Sequence, residues 1–129
     1  MNQLQLLTAP VGRVLLSLIF ITSGISKISG YAGTQGYMEA MGVPGALLPF
    51  VIALEVLGGL AVLVGFQARL AALALSGFCI VSAVLFHADF SDQMQMISFM
   101  KNISIAGGFL MVFAHGAGAY SIDNRRSAA

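Results

Sequence analysis

Four long apolar runs set the limits on what this chain can become. They extend from about Pro10 to Ile28, Leu47 to Val64, Leu70 to Phe86 and Met94 to His115, each near the roughly 20 residues that cross a hydrocarbon core. Of the 129 residues, 58% are hydrophobic and only 9% charged, a balance that a soluble domain of this size could not keep in solution. The expected fold is an all-α membrane protein: a four-transmembrane-helix antiparallel bundle, with residues 1–129 forming a single domain whose main partner is the lipid bilayer.

The connections support that plan. Pro10 suits the first turn of a helix, where its missing donor is harmless, and Gly30, Gly33 and Gly36 end that helix in a flexible connection. The segment Tyr37 to Met41 is long enough for one or two helical turns before Gly42-Val43-Pro44-Gly45 stops it, so a short interfacial helix is expected between the first two spans. Gly65 to Arg69 forms a tight turn that makes spans two and three antiparallel neighbours. His87 to Gln93 forms the next loop. Met1 to Thr8 holds no Lys or Arg, so the apolar start is read as a retained span and not as a signal peptide.

Charge gives the orientation and excludes some partners. Arg13, Arg69, Arg125 and Arg126 fall on the side of the termini, whereas Lys27 shares the other side with Glu39, Asp89 and Asp92. The positive-inside rule therefore puts both termini in the cytoplasm, in a multi-pass protein of a bacterial inner membrane. The net charge is +1, with ionised groups scattered along the chain; no basic stripe could follow a nucleic acid backbone. Cys79 is the sole cysteine, so it has no partner for an intramolecular disulfide and reads as a small buried hydrophobe.

Polar residues within the spans mark the faces expected to turn inward. Arg13, Ser17, Phe20, Gly24 and Lys27 lie on one stripe of the first helix. Ser76, Ile80, Ala83 and His87 do so on the third, and Lys101, Ser104, Gly108, Val112 and His115 on the fourth. Ala68, Ala72 and Ser76 have the small-residue spacing that lets helices approach closely in lipid, as do Ala61 with Gly65 and Ser104 with Gly108.

Glu55 lies eight residues beyond Leu47, about 12 Å along the helix axis and near the bilayer midplane. A charge at that depth costs roughly 2.5 to 3.5 kcal/mol on insertion scales and needs a partner or a proton. Lys101, about 10 Å from the same boundary, is the expected partner. Asn102 could complete a hydrogen-bonded cluster with it; Arg13 and Lys27, near span ends, either snorkel to their nearest interface or face the bundle, with Arg13 as a structural polar group. All four helices thus contribute polar residues to one leaflet, where Lys27, Glu55, His87, Lys101 and Asn102 would line a small pocket. A flat apolar molecule with two carbonyl oxygens, such as a quinone, suits such a pocket.

His87 and His115 end helices that run in opposite directions and cannot share one iron across roughly 30 Å of membrane. The remaining residues give no metal-ligand spacing, phosphate loop or self-contained catalytic motif, and the catalytic residues, if there are any, are unknown.

The succession Arg13, Gly24, Lys27, then Gly42-Val43-Pro44, Glu55 with Gly58-Gly59, the loop around His87, and Phe99-Met100-Lys101-Asn102 before Gly107-Gly108 resembles the DoxX family over nearly the whole chain. Tyr31-Ala32-Gly33-Thr34-Gln35 and the tail Gly118 to Asp123 add a likeness to one group of its bacterial inner-membrane members. The resemblance implies a four-helix inner-membrane protein. Some relatives are membrane subunits linked to thiosulfate oxidation with quinone as acceptor, or to thiol-oxidant defence.

Three functions are compatible with these observations: a quinone- or small-molecule-binding accessory subunit working with a redox partner protein, a small proton-coupled exporter using Glu55, and a structural anchor without a ligand. A homo-oligomer is compatible with each.

Overall fold

The first helix starts well before its apolar run because Asn2 caps it. In the computed structural model, which describes residues 2–128 and side chains as far as Arg125, the Asn2 side chain accepts a hydrogen bond from the Gln5 amide while the Gln5 side chain accepts one from the Asn2 amide. This reciprocal capping box satisfies free donors of the first turn. Helix α1 accordingly spans Gln3–Ser29, and Pro10 stands inside it, not in its first turn as the sequence suggested. The Arg126 side chain lies outside the described residues.

Five more helices follow: α2 (Tyr31–Ala40), α3 (Leu48–Val64, preceded by a 3-10 turn at Gly45–Leu47), α4 (Ala68–Phe86), α5 (Gln93–His115) and α6 (Ile122–Ala128). No strand occurs among the described residues. Helices α1, α3 with its 3-10 turn, α4 and α5 are long and apolar enough to cross a membrane, and α2 is the short helix between the first two spans. It is longer than expected, because Gly33 and Gly36 continue the helix instead of forming a flexible connection. Its C-terminal stop is at Gly42, which has a φ of +82°. Between α3 and α4 the turn is made by Gly65 and Gln67, both in the left-handed region.

Packing joins α1 to α3 and α4 to α5 along their lengths; α3 and α4 connect the two pairs, whereas α1 and α5 touch sparsely. The core is apolar, built on Phe20, Val62, Ala72, Leu75, Cys79, Ala106 and Phe109. Phe20 meets Phe109 edge to face at a centroid distance of 5.4 Å, an arrangement favoured by the ring quadrupoles. Large apolar side chains such as Leu15, Phe50, Leu57, Leu70 and Met94 project outward, as a lipid-facing surface requires. Hydroxyl groups in α1 are satisfied locally, with Ser17 donating to the Arg13 carbonyl at 2.6 Å and Thr22 to the Leu18 carbonyl at 2.8 Å.

The inward stripe of α1 is as expected: Arg13, Ser17, Phe20 and Gly24 are buried and Lys27 is half-buried. In α4 the stripe includes Ala68, Ala72, Ser76 and Ala83, but Cys79 takes the inward place and Ile80 turns outward. The larger correction concerns α5. Its buried residues are Ala106 and Phe109, with Asn102 and Ile105 beside them, while Lys101, Ser104 and His115 are exposed. Polar character misidentified the inner face because the groups facing α5 across the core are phenylalanines and small residues. The Ser76 hydroxyl reaches α5 across this core, donating to the Ala106 carbonyl at 3.1 Å.

Candidate functional site

A close crossing of α1 and α3 creates the site. A Cβ added to Gly24 would lie 2.5 Å from Val56 Cγ2 and 3.3 Å from Glu55 Cβ, and one added to Gly59 would lie 2.8 Å from Ile21 Cγ1. Only residues without a side chain permit this approach, which seats Glu55 against α1. The directions of the side chains then bring the charges together. Side chains lean toward the N-terminus of their helix, so Lys27, near the C-terminal end of α1, reaches back into the bundle, and Glu55 on the antiparallel α3 leans toward it.

Lys27 Nζ lies 2.7 Å from Glu55 Oε1 and donates to Ser23 Oγ at 2.7 Å. The expected partner of Glu55, Lys101, is exposed on the outer surface of α5, and of the two readings the sequence left open for Lys27 it takes the one in which it faces the bundle. Glu55 is 1% exposed, and its Oε1 accepts no directed hydrogen bond although the ammonium is so near. The contact is therefore an ion pair held by charge and proximity, since Coulomb attraction does not depend on the lone-pair direction.

This pair borders a cavity of about 280 Å³, slightly below the roughly 300–1,000 Å³ common for ligand sites. Its walls come from every spanning helix: Phe20, Ser23 and Lys27 of α1, Val51 and Glu55 of α3, Phe78, Cys79, Ser82 and Phe86 of α4, and Asn102 and Ile105 of α5. His87, which caps α4, lies at the same end. Helix α2 contributes Thr34, Tyr37 and Met38 as a roof; Tyr37 stacks on Phe86 at 5.4 Å, and Gln35 ties α2 to the Gly45 carbonyl at 3.3 Å. Four of the five residues expected at a common pocket, Lys27, Glu55, His87 and Asn102, thus line one space. Lys101 does not.

Sequence reasoning missed Ser23, Thr34, Tyr37 and Ser82. Ser23 was detectable, because it stands four residues before Lys27, where a lysine leaning N-terminally would meet it. The others depend on how α2 and α4 are placed, which no local spacing reveals.

Arg13 belongs to a separate cluster at the opposite end. Its guanidinium donates to the Val62 and Leu63 carbonyls at 3.1 and 2.8 Å and to the Tyr120 carbonyl at 2.5 Å, satisfying carbonyls at the C-terminus of α3. Asp123 completes the clasp by accepting from the Gln67 and Ala68 amides at 2.7 and 2.8 Å, which caps α4 from the far end of the chain. His115 ends α5 on this side, remote from His87.

The DoxX family pattern matches residues 9–88. The chain belongs to the DoxX family. It is 53% identical to the inner membrane protein YqjF of Escherichia coli (strain K12) over 95% of each chain. The inner membrane protein YphA of the same organism is 36% identical over 89% of this chain and 87% of its own. A third relative, named "Putative oxidoreductase CatD", from Bacillus subtilis (strain 168), is 33% identical over 45% of this chain and 43% of its own. No solved structure matches the chain. With four apolar helices of spanning length, this DoxX member is a multi-pass inner membrane protein.

Proposed function

We propose that the cavity beside α2 binds a quinone or a similar small carbonyl compound, and that the protein is an accessory subunit of a membrane redox system acting with a redox partner protein. The observation that supports this most is an incompletely satisfied polar set in an apolar cavity. Glu55 Oε1 is buried and is met only by the Lys27 ammonium, without a directed hydrogen bond, and the half-buried His87 and Asn102 line the same space with no hydrogen bond from their side chains among the described residues. Polar groups set against apolar walls in this way are completed by a ligand or by water.

The residues fit such a ligand. Phe20, Phe78 and Phe86 form apolar walls for a flat ring, and Lys27, Asn102 and His87 are donors for carbonyl oxygens. Lys27 replaces Lys101 in this role. A bound quinone would supply reversible uptake of electrons and protons. The chain's own part is to orient the ring, exclude water and hold the ammonium in place through Glu55 and Ser23. The relative named as an oxidoreductase adds support for a redox setting. A proton-coupled exporter is less well supported, because the carboxylate it would need is engaged by Lys27.

We read the chain as one four-span unit with both termini cytoplasmic, on the strength of Arg13, Arg69 and Arg125 at the terminal end. Titrating purified protein in detergent with a short-chain benzoquinone tests the ligand. Wild type should bind saturably, and Lys27→Met and His87→Ala should each bind about tenfold more weakly, a change of roughly 1.4 kcal/mol. Absence of saturable binding in wild type, or equal binding by both variants, would reject the proposal.

A further inference from the structure

The four helices do not enclose the cavity equally. Helices α1 and α5 meet where a Cβ on Gly108 would lie 3.0 Å from Leu16 Cδ2, a contact toward the terminal end of the bundle. Contact between α1 and α5 is sparse. Ile19, one turn beyond Leu16 and a lining residue of the cavity, is 52% exposed. On α5, Ile105 lines the cavity and also an external groove of about 420 Å³ shared with Met96, Ile97, Met100 and Lys101. One isoleucine therefore separates the interior space from a lipid-facing channel on the same flank of α5 that Gly108 turns toward α1.

We infer that the cavity opens sideways into the leaflet containing α2, through a slot between Ile19 and Ile105, and that its ligand has a small polar ring in the cavity and a hydrocarbon tail lying in the α5 groove. This rests on the quinone reading and specifies the ligand further. At about 280 Å³ the cavity has room for a ring but not for a long chain as well, so a tailed molecule must project outward. The groove is almost entirely apolar along Met96, Ile97 and Met100, and continuity through Ile105 makes it the route out. Since the tail exchanges one apolar surrounding for another, it contributes little affinity of its own. Its exit path instead decides which ligands fit.

The test compares a tailless dimethoxy-methyl-benzoquinone with the same ring carrying a decyl chain, titrated in detergent against wild type, Ile97→Trp and Met100→Trp, whose side chains line the groove and not the cavity. Wild type should bind both. The Trp variants should bind the tailless ring normally and the decyl compound at least about tenfold more weakly. If both variants bind both compounds as wild type does, the slot is refuted while the quinone reading stands; a parallel loss of both compounds also refutes it. If wild type binds neither, the quinone reading fails and the slot with it. A decyl quinone with a diazirine at the tail end provides a check on unmodified protein. Photolabelling should fall within Met96 to Ile105, and labelling confined to α3 or the outer face of α4 would overturn the assignment.

Discussion

Replacing Lys27 with Met should destabilise the protein more than replacing Glu55 with Met, and replacing both should cost less than Lys27→Met alone. At 2.7 Å two unit charges attract by about 6 kcal/mol at an effective dielectric constant of about 20. Desolvating them costs several kcal/mol per ion, so the intact pair is worth little more than a well-packed apolar pair. Single removals differ from each other because the survivors differ. Lys27→Met leaves a carboxylate that is 1% exposed, with neither cation nor donor, and should cost about 3 to 5 kcal/mol. Glu55→Met leaves an ammonium that is 26% exposed, keeps the Ser23 hydroxyl and stands near the end of α1. It can turn to the headgroups, so the loss should be about 1 to 2 kcal/mol. Reversible denaturation in mixed micelles, run as a double-mutant cycle, measures all three. Lys101→Met is the control and should change stability by less than about 0.5 kcal/mol, since it removes an exposed side chain. Additive losses, a larger cost for Glu55→Met, or a Lys101→Met loss as large as that of Lys27→Met would refute this account of the pair.

Other perturbations address the frame around the site. Gly24→Val should cost about 1 to 3 kcal/mol in the same assay, because its Cβ would press on Val56 and Glu55; unchanged stability would mean that α1 and α3 are not closely packed there. Asp123→Ala removes acceptors from two amides at the start of α4 and should cost about 1 to 2 kcal/mol, while an unaltered melting profile would show that the tail does not clasp the turn. A C-terminal alkaline phosphatase fusion should be inactive and a C-terminal fluorescent fusion bright; the reverse pattern would place the termini outside the cytoplasm.

The spans were legible because lipid imposes a length and an apolar composition that few other structures share. The α1 stripe was legible for a related reason: Arg13, Ser17 and Gly24 have few uses in a membrane helix except against another helix. On α5 the same reasoning failed. Lys101 leans toward the N-terminal end of a 23-residue helix, about 34 Å long and so longer than the hydrocarbon core, which lets a lysine reach the headgroup region while facing lipid. Depth alone made Lys101 and Glu55 equivalent; the rotation of α5 separates them, and no spacing in the sequence fixes that rotation against α4. Lys27 was legible in principle, since the lean of helical side chains points it inward.

The two buried charge clusters meet opposite conditions, and the difference is what separates a structural contact from a candidate site. Arg13 is held by carbonyls that the end of α3 and Tyr120 present in fixed positions, so although its Nε has no partner, its charge faces permanent acceptors. Asp123 likewise meets amides that any helix start leaves free. Apart from that Nε, the charge at that end is balanced by groups of the chain itself. Around Glu55 the supply is short: one lysine, one serine hydroxyl, and a cavity where His87 and Asn102 have nothing to bind. A protein gains no stability by leaving such groups unsatisfied in an apolar surrounding. A network that served only to fix helix register would be expected to close on itself, as the Arg13 and Asp123 clasp nearly does. On the proposed function the open network under α2 is completed by the ligand, and the ion pair would keep its ammonium oriented toward it.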